Sequence, residues 1–166
     1  MNSQQIDELI ARMATELAPM QQAAEGPFAL IGLHTGGVWV ARRLAEKMGN
    51  PPVHELDVSF YRDDFRQRGL AENPQPSKLP LSVDNHHLVL VDDVLFTGRT
   101  VRAAINEVFD RGRPRRVQLA VLIDRGGREL PIQADVVGQQ MTDLKENQML
   151  HLHGPDPLHL SLEPRS

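Results

Sequence analysis

Two adjacent carboxylates, Asp92 and Asp93, follow the apolar run Leu88-Val89-Leu90-Val91, and Val94-Leu95-Phe96-Thr97-Gly98-Arg99-Thr100 comes directly after them. Residue types in that order suit a ligand with two unlike ends. The backbone N–H groups and hydroxyls of Thr97, Gly98, Arg99 and Thr100, placed at a helix start, suit a phosphate monoester. Gly98 lets the backbone come close to that anion. The carboxylates repel phosphate, so they are suited to neutral hydroxyl donors or to a hydrated Mg2+ ion. A phosphate with a vicinal diol beside it satisfies both halves, and a ribose 5-phosphate is the candidate. The plainer alternative is a buried strand with an acidic end and an N-capped helix.

The elements that must position these groups follow from the spacing of apolar residues. The central run predicts a buried strand, a tight loop and a helix whose amphipathic pattern begins at Val101, with Val101, Ile105, Val108 and Phe109 inward. Open α/β sheets bind ligands at the carboxyl edge of such strands. Phe28 to Leu33 predicts another buried strand, followed by His34-Thr35-Gly36-Gly37 and a helix with Val38, Ala41, Leu44, Ala45 and Met48 inward and Gly49 as its stop. The Gly pair is either a turn or a second close approach to an anion. Residues 3 to 20 predict an amphipathic helix capped by Asn2 or Ser3, packing on the sheet or binding a partner. After Pro51-Pro52, Leu56, Val58 and Phe60 alternate with Asp57, Ser59 and Tyr61 as in a strand. Phe65 to Asn85 is polar, carries Pro74, Pro76 and Pro80 and has no period, which reads as a long functional or solvated loop. Val117 to Ile123 and Ala134 to Gly138 predict strands, and Met149 to Leu152 with Leu158 to Leu162 predict a hairpin around Gly154-Pro155-Asp156-Pro157.

The segment from Leu88 to Thr100 resembles the phosphoribosyl pyrophosphate (PRPP) motif of the type I phosphoribosyltransferases. Leu95 to Ala103, Tyr61-Arg62-Asp63-Asp64 and Asp124-Arg125-Gly126-Gly127-Arg128-Glu129-Leu130-Pro131-Ile132 resemble the PyrR family of pyrimidine operon regulators within them. Two positions depart from that pattern: Gly36 stands where the family usually has Arg, and Gly127 where it has His. The resemblance implies a type I phosphoribosyltransferase fold, α/β, with a central mostly parallel sheet flanked by helices. It implies one domain over residues 1–166, a flexible active-site flap at about 62–86 and a small C-terminal hood or hairpin at about 139–166. The implied reaction transfers phosphoribosyl from PRPP to uracil, giving UMP and pyrophosphate. A UMP-sensing, RNA-binding attenuation regulator with little turnover is the alternative, and transfer to orotate or a purine is a third reading. By the same resemblance Asp92 and Asp93 hold the ribose hydroxyls and act on the ribosyl cation, while Arg62 and the flap, with Arg66, Arg68 and Lys78, meet pyrophosphate. Val94, Leu95, Phe96, Thr97, Gly98, Arg99 and Thr100 bind the 5′-phosphate, Thr35, Gly36 and Gly37 form the pyrophosphate loop, and Val136 and Val137 contact the base. Mg2+ arrives with PRPP, and Asp92 and Asp93 reach it only through ribose or water. The family also implies a homo-oligomer, a dimer or higher.

Composition bounds these readings. The 166 residues, 40% hydrophobic and 24% charged, fit one globular domain with a substantial core. The absence of cysteine excludes disulfides, thiolate metal sites and a cysteine nucleophile. No run approaches the roughly 20 apolar residues that span a bilayer, and Met-Asn-Ser-Gln-Gln lacks the features of a signal peptide, so a cytoplasmic location is expected. A net charge of -4 and a pI near 5.9 lack the bulk electrostatic footprint of a nucleic-acid binder. The six Arg residues from Arg111 to Arg128 form the dense basic cluster, available to RNA phosphates, PRPP or solvent. His151, His153 and His159 lack the further spaced ligands of a metal site.

Overall fold

The computed structural model describes residues 1–59, 79–80 and 82–165. Its core is a five-stranded, wholly parallel sheet in the order β2-β1-β3-β4-β5. The strands are β1 (Phe28–Leu33), β2 (Val53–Leu56), β3 (His87–Leu95), β4 (Arg116–Asp124) and β5 (Val136–Gln140). Each central strand is apolar on both sides, as a sheet covered on both faces requires. Leu30, Val89, Val91, Ala120 and Leu122 face one core. Ala29, Ile31, Leu88, Leu90 and Val121 face the other.

Helices α1 (Ser3–Gln22) and α2 (Gly36–Lys47) cover the first face, and α3 (Arg99–Phe109) packs on the second. In α1, the Asn2 side chain accepts from Gln5 N while the Gln5 side chain accepts from Asn2 N, a reciprocal cap that satisfies two otherwise unpaired donors. Ile6, Ile10, Met13 and Leu17 of this helix are fully buried, so it is part of the core. The hairpin β6 (Gln148–His153) and β7 (His159–Pro164) is a separate two-stranded antiparallel sheet. Leu150, Leu152, Leu158 and Leu160 seat it on the α1/α2 side of the core.

Several boundaries differ from the sequence expectations for identifiable reasons. β2 ends at Leu56, because the Asp57 carboxylate accepts from Ser59 N and turns the chain. Phe109 is 53% exposed, and Ala104 takes the inward position beside Val101 and Val108. β5 starts two residues late, since Asp135 Oδ2 accepts from Leu119 N and holds the segment before Val136. Tyr61, Arg62, Asp63, Asp64, Arg66, Arg68 and Lys78, and with them most of the expected flap, lie outside the described residues.

Candidate active site

The sheet reverses its winding between β1 and β3, and ligands of open α/β sheets bind at such a switch point. β1 pairs with β3 only as far as Gly32 opposite Val91. Beyond that register β3 continues against β4 alone, with Asp92 opposite Val121 and Leu95 opposite Asp124. Asp92 and Asp93 therefore stand just past the end of the β1–β3 pairing, where a crevice opens. Asp92 is buried and its Oδ1 accepts from Asp93 N at 3.0 Å. Asp93 Oδ1 accepts from Val94 N at 3.0 Å. Its Oδ2 lies against Gly36, where a Cβ would collide with it.

The loop from β1 to α2 forms the other side of the crevice. The His34-Thr35 peptide bond is cis, and Gly36 and Gly37 are already the first residues of α2. A Cβ on Gly37 would strike the Val91 carbonyl, so the loop and β3 meet backbone to backbone. Behind it, His34 Nε2 lies 3.0 Å from Glu55 Oε2, and Glu55 also pairs with Arg42.

After Leu95 the chain turns into α3 through Gly98, which has a φ of +94° and occupies the N-cap position. Thr97 is buried, its hydroxyl accepts from Arg99 N and its carbonyl accepts from Glu129 N and Leu130 N. The Arg99 guanidinium is held by Glu129, so at this position the N–H groups at the helix start remain the groups suited to an anion.

A cavity of about 410 Å³ joins these parts. Thr35, Gly36, Asp92, Asp93, Val94, Phe96 and Thr100 line it together with Trp39, Arg125, Met149 to Leu152 and Arg165, while Gly37, Leu95, Thr97, Gly98 and Arg99 are not among its walls. Val136 and Val137 are not among its walls: they lie in β5, Val136 buried in one core and Val137 packed against the other. The hairpin and Arg125 complete the lining, with Arg125 stacked on Phe96. Neither Trp39 nor the hairpin drew attention as a wall from sequence, since nothing local to either predicts that they meet.

Arg125 is 9% exposed, lies 4.2 Å from the Phe96 ring centroid and donates through Nη1 to Gln148 O. Burial, and then the nearby Arg165 cation, holds its pKa below the ordinary value. Arg128 is also internal, bonded to Asp124 Oδ2, Phe96 O and Ile132 O. Two of the six clustered arginines thus serve the site's framework, while Arg113, Arg115 and Arg116 are exposed. His151, His153 and His159 sit ring against ring on the hairpin, and no set of three metal-ligating side chains arises among the described residues.

Comparison with known proteins agrees with this geometry. The family described as phosphoribosyl transferase domain matches residues 2–151. A Nitrosococcus oceani protein named bifunctional protein PyrR is 52% identical over 162 residues, covering 95% of this chain and 91% of that protein. The Pseudomonas syringae pv. tomato protein of the same name is 51% identical over 161 residues, covering 96% and 94%. The solved purine phosphoribosyltransferase from Pyrococcus horikoshii Ot3 superposes with a TM-score of 0.66 at 27% identity, covering 84% of this chain and 85% of that one. A Trypanosoma cruzi hypoxanthine phosphoribosyl transferase gives a TM-score of 0.66 at 25% identity, covering 84% and 75%. The parallel sheet, the acidic strand end and the loop that starts α3 are accordingly those of the type I fold, and the chain belongs to the phosphoribosyl transferase domain family.

Proposed function

We propose that the protein transfers the phosphoribosyl group of PRPP to uracil, releasing pyrophosphate and forming UMP. The observation that carries this reading is that Asp92 and Asp93, Thr100 in the first turn of α3 and Thr35-Gly36 line one cavity at the β1/β3 switch point. The 5′-phosphate is held at Thr97, Gly98, Arg99 and Thr100 by backbone N–H groups and the Thr100 hydroxyl. Asp92 and Asp93 accept hydrogen bonds from the ribose hydroxyls, and their charge favours the cation that develops at the anomeric carbon. Pyrophosphate leaves toward Thr35, Gly36 and Gly37, where Arg62 meets it. The bond from uracil N1 to the anomeric carbon forms as the bond to pyrophosphate oxygen breaks. The electron pair leaves with pyrophosphate, which takes up the N1 proton. Positioning and exclusion of water supply the remaining rate.

The residues present fit a Mg2+ ion that arrives with its substrate. They offer hard carboxylate oxygens at the cavity, and no complete protein cage exists among the described residues. Asp92 and Asp93 would hold it through ribose hydroxyls or water, and the ion when bound neutralises charge on the pyrophosphate leaving group. We place the protein in the cytoplasm and as a homo-oligomer. No described helix is long and apolar enough to cross a membrane.

The test is steady-state turnover with PRPP and Mg2+ and three bases, uracil, orotate and hypoxanthine. Uracil is expected to exceed the others in kcat/KM by about 100-fold or more. Equal or better use of orotate or hypoxanthine overturns the base assignment. A second reading, a UMP-sensing regulator that binds RNA, is favoured by the relatives' name, bifunctional protein PyrR, and by the exposed Arg113, Arg115 and Arg116 entering β4. It predicts UMP binding without turnover and RNA affinity that falls steeply with salt.

A further inference from the structure

We infer that Arg125 reads an exocyclic carbonyl of the pyrimidine base, and that Phe96 and Gly127 position it to do so. The inference rests on the phosphoribosyl transfer reading and goes beyond it by assigning the base's partner. Four observations carry it. First, Arg125 is a buried cation on the cavity wall without a carboxylate partner among the described residues, because Asp124, its neighbour in sequence, is engaged by Arg128. A buried charge without a partner is costly, and such groups concentrate where a ligand completes them. Second, its orientation is fixed twice, by the face of Phe96 at 4.2 Å and by donation to Gln148 O at 2.9 Å.

Third, the ring position depends on the absence of a side chain at 127. A Cβ there would lie 2.5 Å from Phe96 Cε2, and the φ of Gly127 is +77°. The stack of Phe96 and Arg125 therefore needs a residue without a side chain at 127. Fourth, the two anionic ends of the substrate already have their loops, at the α3 start and at Thr35-Gly36-Gly37. Phe96, Arg125 and Met149 line the same cavity as Asp92 and Asp93, and the base goes against them. A uracil ring offers carbonyl oxygens to such a donor, and a cation there favours the negative charge that the ring carries as N1 loses its proton.

The experiment measures equilibrium binding of UMP and of ribose 5-phosphate to the full chain, together with KM for uracil and for PRPP. Trp39, the sole tryptophan and a wall of the cavity, supplies the fluorescence signal. The variants are Arg125→Met, Arg125→Lys and Phe96→Leu. Arg125→Met is expected to weaken UMP binding and raise KM for uracil by about 10- to 100-fold, with ribose 5-phosphate binding and KM for PRPP unchanged. Arg125→Lys recovers part of the loss, and Phe96→Leu, which removes the ring under the guanidinium, weakens UMP binding to a smaller degree. The melting temperature of Arg125→Met stays level or rises, since an uncompensated buried cation has been removed. Unchanged UMP binding in Arg125→Met, an equal loss for ribose 5-phosphate, or a fall in melting temperature that accounts for the loss overturns the inference while leaving the parent reading standing. Failure of the unsubstituted chain to bind UMP or use uracil overturns both.

Discussion

Asp93 reaches its position only because nothing projects from residue 36. Gly36 and Gly37 are adjacent, yet they meet different neighbours: the first faces the Asp93 carboxylate, the second the Val91 backbone carbonyl. Substitution should separate the two consequences. Gly36→Ala is expected to displace the carboxylate and lower UMP formation by about 10-fold or more, with a smaller effect on melting temperature. Gly37→Ala forces backbone apart from backbone and is expected to lower stability by about 1–3 kcal/mol. Steady-state rates and thermal melts of both variants check this, and equal effects in the two assays would refute the division.

A second residue-scale expectation concerns pH. Asp84 Oδ1 accepts from Arg113 N at 2.6 Å, and that bond, with Ser82 beside it, holds the Asp84 carboxyl below its ordinary value of 3.8. A depressed folded-state pKa stabilises the fold above the unfolded value, and that contribution is lost as pH falls through the folded value. Asp84→Asn should therefore melt earlier than the unsubstituted chain near neutral pH. The gap should close well below pH 3.8. Melting curves across that range are the check.

At the scale of elements, the hairpin carries more of the account than its size suggests. It is tied to the rest by Leu150, Leu152, Leu158 and Leu160, by Arg43 bonding Asp156, and by reciprocal bonds between Met1 and Leu160. Leu152→Ala removes a side chain 3% exposed and is expected to cost about 2–5 kcal/mol. Because β6 also walls the cavity, the same variant should weaken UMP binding, readable by denaturant unfolding and by titration. The sequence made β1, α2, β3 and β4 legible, since two-sided apolar strands and Gly-stopped helices leave local signals. It left the hairpin wall of the cavity illegible. Val136 and Val137 have the right composition for a wall, but Val136 is buried in β5, Val137 packs half-buried against the other core, and the cavity wall comes from β6, a segment recognisable only as a hairpin. Phe109 misled for a related reason: an apolar residue at the end of a helical pattern is inward only if the sheet extends beneath it.

For the whole molecule, the distribution of arginine decides between framework and surface. Arg125 and Arg128 are committed to the cavity and its supporting loop. If RNA binding exists, it falls to exposed residues such as Arg113 and Arg116, and replacing both with Gln should reduce the slope of log affinity against log salt by about two without affecting uracil turnover. Loss of turnover in that variant would mean that the two surfaces are not separate.

The central claim is that the acidic pair at the end of β3 is the site of phosphoribosyl transfer. Its most direct test is the rate of UMP formation from uracil and Mg-PRPP by Asp93→Asn against the unsubstituted chain, with melting temperature as the control for folding. The account predicts a loss of about 100-fold or more in a variant that melts as the unsubstituted chain does. Undiminished turnover by a folded Asp93→Asn variant would contradict it.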